Sequence, residues 1–274
     1  MMDKAIVVGV YEFLAFHFCK KFLDDGMEVI GVHSLSQEND LFTEEKRMEI
    51  GRNANFVEEK YEKWTVTDEQ EEVLLVLDYY DLFIRNVEKE LDWESMKLKL
   101  SGLKNGKGKV LFLMPIQLLM QGRYEQHQSQ MKEILSSFKR DGIAFNVYYL
   151  PTVYGPWQYI ESAFQQYFLM ENDHFMIHER EWTGDALHVE DVIDSILSFL
   201  SDKYKAYLLE SSEADKWTKC ARVLDILPDA KQERETLLSF DGEKIAVHDS
   251  KPYQMRLAHQ KRHAQVIKVI LKSE

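Results

Sequence analysis

Short apolar runs alternate with amphipathic stretches along most of this chain. Ala5–Val8 is the first run. Gly9 and a turn follow it, and then a helical stretch from Phe13 to Asp25 in which Leu14, Phe18 and Phe22 recur every four residues. That spacing marks one buried helix face. Gly26 is a natural helix stop, and a second apolar strand, Val29–Val32, comes next. Residues 34–72 are polar and acidic with no clear period, and Asn55–Val57 is expected to form a third strand within them. Val73–Leu77 reads as a buried strand and Asp92–Leu100 as a helix, before a Lys/Gly-rich turn at 104–109. Val110–Met114 reads as a buried strand ended by Pro115. Tyr124–Phe138 has helical periodicity, with Met131, Ile134, Leu135 and Phe138 on one side. Asp141-Gly142 leads into a strand at Ala144–Leu150, and a further helix is expected at about 191–200. Strands alternating with helices imply right-handed crossovers and an α/β fold with a mainly parallel sheet.

Composition narrows the class. A chain of 274 residues that is 45% hydrophobic can bury a large core, so disorder is not expected. It has no apolar run long enough to span a bilayer, so no membrane association is expected. Met-Met-Asp-Lys runs straight into a strand without a secretory pattern. The two cysteines, Cys19 and Cys220, have no metal spacing, and a reduced, cytoplasmic setting is expected. The net charge of −13 is concentrated in residues 38–95. That disfavours nucleic acid, whose binding depends on cations meeting phosphates, and suits a solvated acidic face. Residues 251–272 carry Lys251, Arg256, Lys261, Arg262, Lys268 and Lys272 with no acid. Pairing with the acidic half within the chain and pairing across a dimer both remain open.

Residues 5–33 have the strand–turn–helix–strand order in which a glycine-rich turn seats a pyrophosphate on a helix N-terminus. The three small-residue positions of such a turn fall on Gly9, Glu12 and Ala15. At the middle position a side chain takes the volume that lets backbone approach phosphate, and a carboxylate adds repulsion. Negative charge at a helix N-terminus is favourable by about 0.3–1 kcal/mol, so Glu12 is expected to occupy the anion site itself. His33 stands at the end of the second strand, where a ribose-gripping acid is expected.

Two later segments carry a resemblance. Residues 148–158, Tyr-Tyr-Leu-Pro-Thr-Val-Tyr-Gly-Pro-Trp-Gln, and residues 185–194, Asp-Ala-Leu-His-Val-Glu-Asp-Val-Ile-Asp, resemble signatures of the extended short-chain dehydrogenases/reductases. This is the NAD-dependent epimerase/dehydratase group, which acts mostly on nucleotide sugars. The resemblance implies a Rossmann-like domain over 1–155, with returning segments at about 180–205, and a smaller C-terminal lobe over 156–274. It implies NAD or NADP beside Gly9, Glu12, Ala15, His33 and Pro151, a nucleotide-type substrate near Tyr154, Asp185 and His188, and a homodimer. Tyr154-Gly155-Pro156 also suits a tight turn, and Glu190 and Asp191 suit the cap of a helix.

The same family places a Ser or Thr after the central strand, then a Tyr and a Lys four residues apart. Here Met114-Pro115-Ile116 offers no hydroxyl, and Tyr124 is followed by Gln128. Gln128 can hydrogen-bond a ribose but carries no charge to lower a tyrosine pKa. Leu150 and Gly184 stand where the family carries arginines. His174 and His178, flanked by Asp173 and Glu179, are four apart but short of the four ligands a structural zinc takes, and no metal is expected. His259 and His263 repeat the spacing on what is expected to be a solvated face. No hydrolase elbow or nucleoside-triphosphate loop is present. The expected function is therefore that of a degenerate, non-catalytic relative that binds a ligand or a protein partner. One alternative is an active NAD(P)-dependent epimerase, dehydratase or reductase on a nucleotide sugar, with Tyr124 as proton donor helped by Gln128. The other is a dinucleotide-sensing regulator.

Overall fold

The computed structural model describes residues 3–33, 42–66, 72–104, 108–169, 176–226 and 239–273. β1 (Lys4–Val8), α1 (Phe13–Asp24), β2 (Glu28–His33), α2 (Thr43–Ile50) and β3 (Phe56–Lys60) form the first half of the sheet layer. β4 (Val73–Asp78) runs directly into α3 (Tyr79–Ile84), followed by α4 (Trp93–Lys99), β5 (Gly108–Pro115), α5 (Glu125–Arg140) and β6 (Ala144–Leu150). Then come β7 (Thr152–Tyr154), α6 (Ala163–Leu169), β8 (Ala186–His188), α7 (Val189–Ser198) and β9 (Lys205–Ser211). The last elements are α8 (Lys216–Val223), β10 (Glu243–Val247) and α9 (Tyr253–Ser273).

The strands pair in the order β10-β9-β6-β5-β4-β1-β2-β3, and every pairing is parallel. β4 and β5 are buried along their whole length, as central strands covered on both faces must be. β3, at the edge, carries Glu58, Glu59 and Lys60. Alternation along each strand divides the core. Ala5 and Val7 face α1 and α7, while Ile6 and Val8 face α4 and α5. β7 and β8 pair as a separate two-stranded ribbon. Phe164, Trp217, Cys220 and Leu257 join α6, α8 and α9 in a third apolar cluster. Two strands of the main sheet, β9 and β10, come from beyond residue 204, within the stretch assigned from sequence to the C-terminal lobe and its junction.

The expected elements are present with instructive shifts. The third strand runs on to Lys60, and Asp92 caps α4 by accepting from the backbone of Glu94 and Ser95. Tyr124 precedes α5 in the left-handed region at φ 60° instead of lying inside the helix. The helix expected at 191–200 begins at Val189, and its cap is His188, whose Nδ1 accepts from Glu190 N at 3.3 Å. Glu190 and Asp191 occupy its first turn. Within the basic C-terminal segment, Arg256 pairs inside the chain with the first turn of α7. Arg256 binds Glu190, and its Nη2 reaches Asp191 Oδ1 at 2.9 Å with both side chains buried. The expected solvated face holds for His259, which is exposed. It fails for His263, whose ring packs 4.4 Å from that of Trp157. No described helix is long and apolar enough to cross a membrane.

Candidate functional site

The chain leaves β1 toward β2 and leaves β4 in the opposite direction, toward β5. A sheet of this kind opens a crevice at the carboxyl ends of two such strands, where ligands of doubly wound folds bind. Gly9 closes β1 at φ +73°, a conformation glycine adopts without steric cost. Glu12 then packs over it: its Cγ lies 3.3 Å from where a Cβ on Gly9 would stand. The Glu12 carboxylate is buried, and both of its oxygens accept from Arg85 Nη1, at 2.9 and 2.7 Å. The Tyr159 hydroxyl stands 3.5 Å from it.

Glu12 does not bond the amides of α1, contrary to the expectation that it fills the anion site. Two other carboxylates do. Leu14 N donates to Asp81 Oδ2 at 2.6 Å, and Ala15 N donates to Asp78 Oδ2 at 3.2 Å. Asp78 Oδ1 also accepts from Asp81 N at 3.0 Å, capping α3. β4 thus ends in an acid that caps its own helix and reaches across to the helix after β1. Burial pushes all three carboxyls above the ordinary carboxylate range, and mutual charge adds to this for Asp78. Arg85 pulls Glu12 back toward ionisation. The positions that a dinucleotide diphosphate would take are already bonded to carboxyl groups of the chain itself, so these residues do not fit that group.

At the ribose end Glu58 is held by the chain itself, while His33 Nε2 is buried without a hydrogen-bond partner among the described residues. His33 ends β2 with Nδ1 3.7 Å from Glu58 Oε1. Glu58 is gripped by Arg47 through Nε at 2.9 Å and Nη2 at 2.8 Å, and the Tyr11 hydroxyl donates to it at 2.9 Å. At the other end, Thr152 and Val153 follow the buried Pro151. The void they share with Phe13, Tyr80, Tyr159 and Glu181 is about 10 Å³, room for one water at most. The Tyr80 hydroxyl accepts from Val153 N there at 3.0 Å. Burial raises Glu181 to about 7 although Ala163 N and Trp217 Nε1 both donate to it.

Tyr124 and Gln128 do not line the crevice. The Tyr124 ring stands edge-on to Phe83, 4.9 Å between centroids, and Gln128 Nε2 donates to the carbonyls of Met120 and Arg123 at 2.7 and 3.1 Å. Beside them Arg180 is buried, donating to Phe83 O at 2.6 Å, Asn86 Oδ1 at 2.6 Å and Glu88 Oε2 at 3.0 Å. His127 completes this network on Glu88 at 2.8 Å. Tyr154 and His188 meet edge-on at 5.4 Å, both buried. Burial holds His188 well below the usual imidazole range. Asp185 accepts from Ala186 N and Ser211 N at 2.8 and 2.6 Å, with burial raising it to about 6. Of the acid-flanked histidines, His174 and Asp173 lie outside the described residues, and His178 Nδ1 accepts from Arg180 N at 3.3 Å.

A cavity of about 420 Å³ nevertheless remains in the crevice, floored by Val8, Gly9, Leu77 and Asp78 and walled by Tyr61, Tyr79 and Trp93. Its size suits a small molecule. Sequence alone pointed to neither Asp78, Asp81, Arg85 nor Arg180. The one available signal was an acid ending a wholly apolar strand, in Val-Leu-Leu-Val-Leu-Asp.

No protein-family model matches this chain, and no curated protein matches it. Solved structures do. UDP-glucuronic acid 4-epimerase from Bacillus cereus in complex with NAD superposes with a TM-score of 0.65 at 13% identity, over 97% of this chain and 99% of that one. This chain has the fold of the nucleotide-sugar epimerases and dehydratases. dTDP-glucose 4,6-dehydratase from Bacillus anthracis, also in complex with NAD, gives 0.64 at 11% identity over 98% of each chain. UDP-glucose 4-epimerase from Thermotoga maritima gives 0.64 at 17% identity, over 96% of this chain and 99% of that one. The correspondence spans nearly the whole of each chain, so the shared fold extends from the first strand to the last helix.

Proposed function

We propose that this chain is a non-catalytic relative of the epimerases and dehydratases, retained to bind a ligand or a protein partner. The observation that carries the reading is the bonding at the start of α1. Asp81 and Asp78 hold Leu14 N and Ala15 N, while Glu12 is locked to Arg85 above Gly9. A dinucleotide diphosphate would have to displace two buried carboxylates and meet a third. The chemistry is eroded as well. Tyr124 has Gln128 in place of a lysine, its ring packs edge-on against Phe83, and Gln128 is spent on the carbonyls of Met120 and Arg123. A reduced, cytoplasmic setting belongs to the same reading, since Cys19 and Cys220 are free and buried. So does a homodimer.

Incubation with NAD and UDP-glucose, UDP-glucuronic acid or dTDP-glucose, followed by chromatographic separation of the sugars, tests the reading. The expected result is unchanged substrate and no reduced nicotinamide absorbance. Accumulation of a C4 epimer or a dehydrated sugar, lost in Tyr124→Phe, overturns it.

A further inference from the structure

The cavity left in the crevice combines apolar surface with polar groups that the chain already satisfies. Tyr79 and Trp93 pack on each other, 6.0 Å between ring centroids, and form one wall. Tyr61, Leu82 and Leu91, all half-buried, line the cavity as well. Leu82 stands on α3 and belongs to none of the three apolar clusters that the described residues form. Its side chain is therefore apolar surface at the cavity that no core cluster takes up. Covering such surface is favourable, and a space of about 420 Å³ is large enough to admit the molecule that does so.

The charges around this space are engaged within the chain, apart from the exposed Glu62. Arg85 holds Glu12. Asp78 accepts from Ala15 N and Asp81 N, and burial favours its neutral form. Asp92 Oδ1 caps α4, accepting from Glu94 N at 3.0 Å and from Ser95 N at 3.1 Å. Lys99 Nζ donates to Trp64 O at 2.8 Å and lies 4.8 Å from the centre of the Tyr61 ring. A cationic occupant would compete with Lys99 for the Tyr61 face, and an anionic one would meet the carboxylates of Glu12 and Asp92. Either would also lose hydration without gaining an unengaged buried partner, which is costly.

We infer that this cavity binds an uncharged, largely apolar aromatic molecule without phosphate, held against the Tyr79–Trp93 wall and the side chains of Leu82 and Leu91. The inference rests on the reading that the diphosphate position is filled by the chain, and it names the class of ligand that the crevice still takes.

N-phenyl-1-naphthylamine, uncharged and brighter in apolar surroundings, is the probe. Anilinonaphthalenesulfonate, the same ring framework carrying a sulfonate, is the control. The expected result is saturable binding of the uncharged probe, roughly tenfold or more tighter than that of the anion. Leu91→Trp, which fills the cavity, and Leu82→Glu, which places a charge in it, are each expected to weaken the probe about tenfold. Leu98→Glu, on α4 at an exposed position that does not line the cavity, is expected to leave binding unchanged. Unchanged circular dichroism spectra show that the variants fold. Absence of saturable binding, equal or tighter binding of the anion, indifference to both Leu91→Trp and Leu82→Glu, or an equal loss in Leu98→Glu each overturns the inference. NADH titrated in parallel separates the two readings. If neither NADH nor the uncharged probe binds, the cavity inference alone fails; if NADH binds, the filled diphosphate position on which it rests fails too.

Discussion

Arg85 holds both oxygens of Glu12 through one nitrogen, Nη1, in a pair whose two ends differ in exposure. The Glu12 side chain is 2% exposed and that of Arg85 25%. That difference makes the pair asymmetric. Removing the buried partner leaves a cation that can turn to water, whereas removing the arginine strands a carboxylate inside. Arg85→Ala is expected to destabilise by about 3 kcal/mol at neutral pH, and Glu12→Gln by about 1 kcal/mol. The double variant should recover most of the larger loss. Urea unfolding of the three proteins measures this, and equal effects of the two single changes would count against a buried pair.

Asp78 and Asp81 form the second relationship at this helix start. Burial and the Asp81 charge raise Asp78 well above the ordinary range, so the folded state favours its neutral form. A carboxyl whose folded pKa is raised contributes stability below its unfolded pKa, and that contribution is lost as pH rises through the folded value. Asp78→Asn mimics the neutral carboxyl and keeps one acceptor oxygen. It should therefore lose less stability than wild type between pH 5 and 8. Asp81→Asn, by contrast, weakens the acceptor of Leu14 N and should destabilise at every pH. Thermal melts across this range decide the matter, and parallel profiles for wild type and Asp78→Asn would refute it.

Histidines on the other side of α1 act with the opposite sign. Burial lowers His17 and His263 to about 4, and His17 Nε2 donates to Pro156 O at 2.8 Å. An imidazole with a lowered folded pKa contributes stability above its unfolded pKa, near 6.5, and loses it as pH falls toward 4. His17→Asn should consequently lose less stability than wild type between pH 7 and pH 4.5. An identical difference between the two proteins at both pH values would exclude this role.

Arg180 ties residues 83–88 to the strand-end segment before β8 through Phe83 O, Asn86 and Glu88. Its 4.5 Å approach to the Phe83 ring adds stacking that a lysine does not reproduce. Arg180→Ala should cost on the order of 3–5 kcal/mol by leaving Glu88 buried and underpaired. Arg180→Lys should recover less than half of that loss. Full rescue by lysine, read from urea midpoints, would contradict the multi-bonded geometry.

The fold was legible because its signals are local. The four-residue spacing of Leu14, Phe18 and Phe22, the apolar runs at 73–77 and 110–114, and Gly26 after α1 each depend on neighbours in sequence. The site was legible only in part. Glu12 declared itself as an acid at a small-residue position, but its partner is 73 residues away. The Asp81 and Asp78 bonds to the start of α1 span 67 and 63 residues. Such contacts arise only once β1 and β4 lie side by side, and nothing in the local pattern of Asp78-Tyr79-Tyr80-Asp81 distinguishes an anion-site plug from an ordinary helix cap. The same holds for His263, read as a surface residue from its basic helix until Trp157 is brought against it.

Calorimetric titration of the ligand-stripped protein with NADH and NADPH addresses the central relationship most directly. With Asp78, Asp81 and Glu12 in the diphosphate position, the expected result is no binding heat at two temperatures and an unchanged melting temperature. Binding of either dinucleotide at micromolar strength, about −8 kcal/mol, would contradict it.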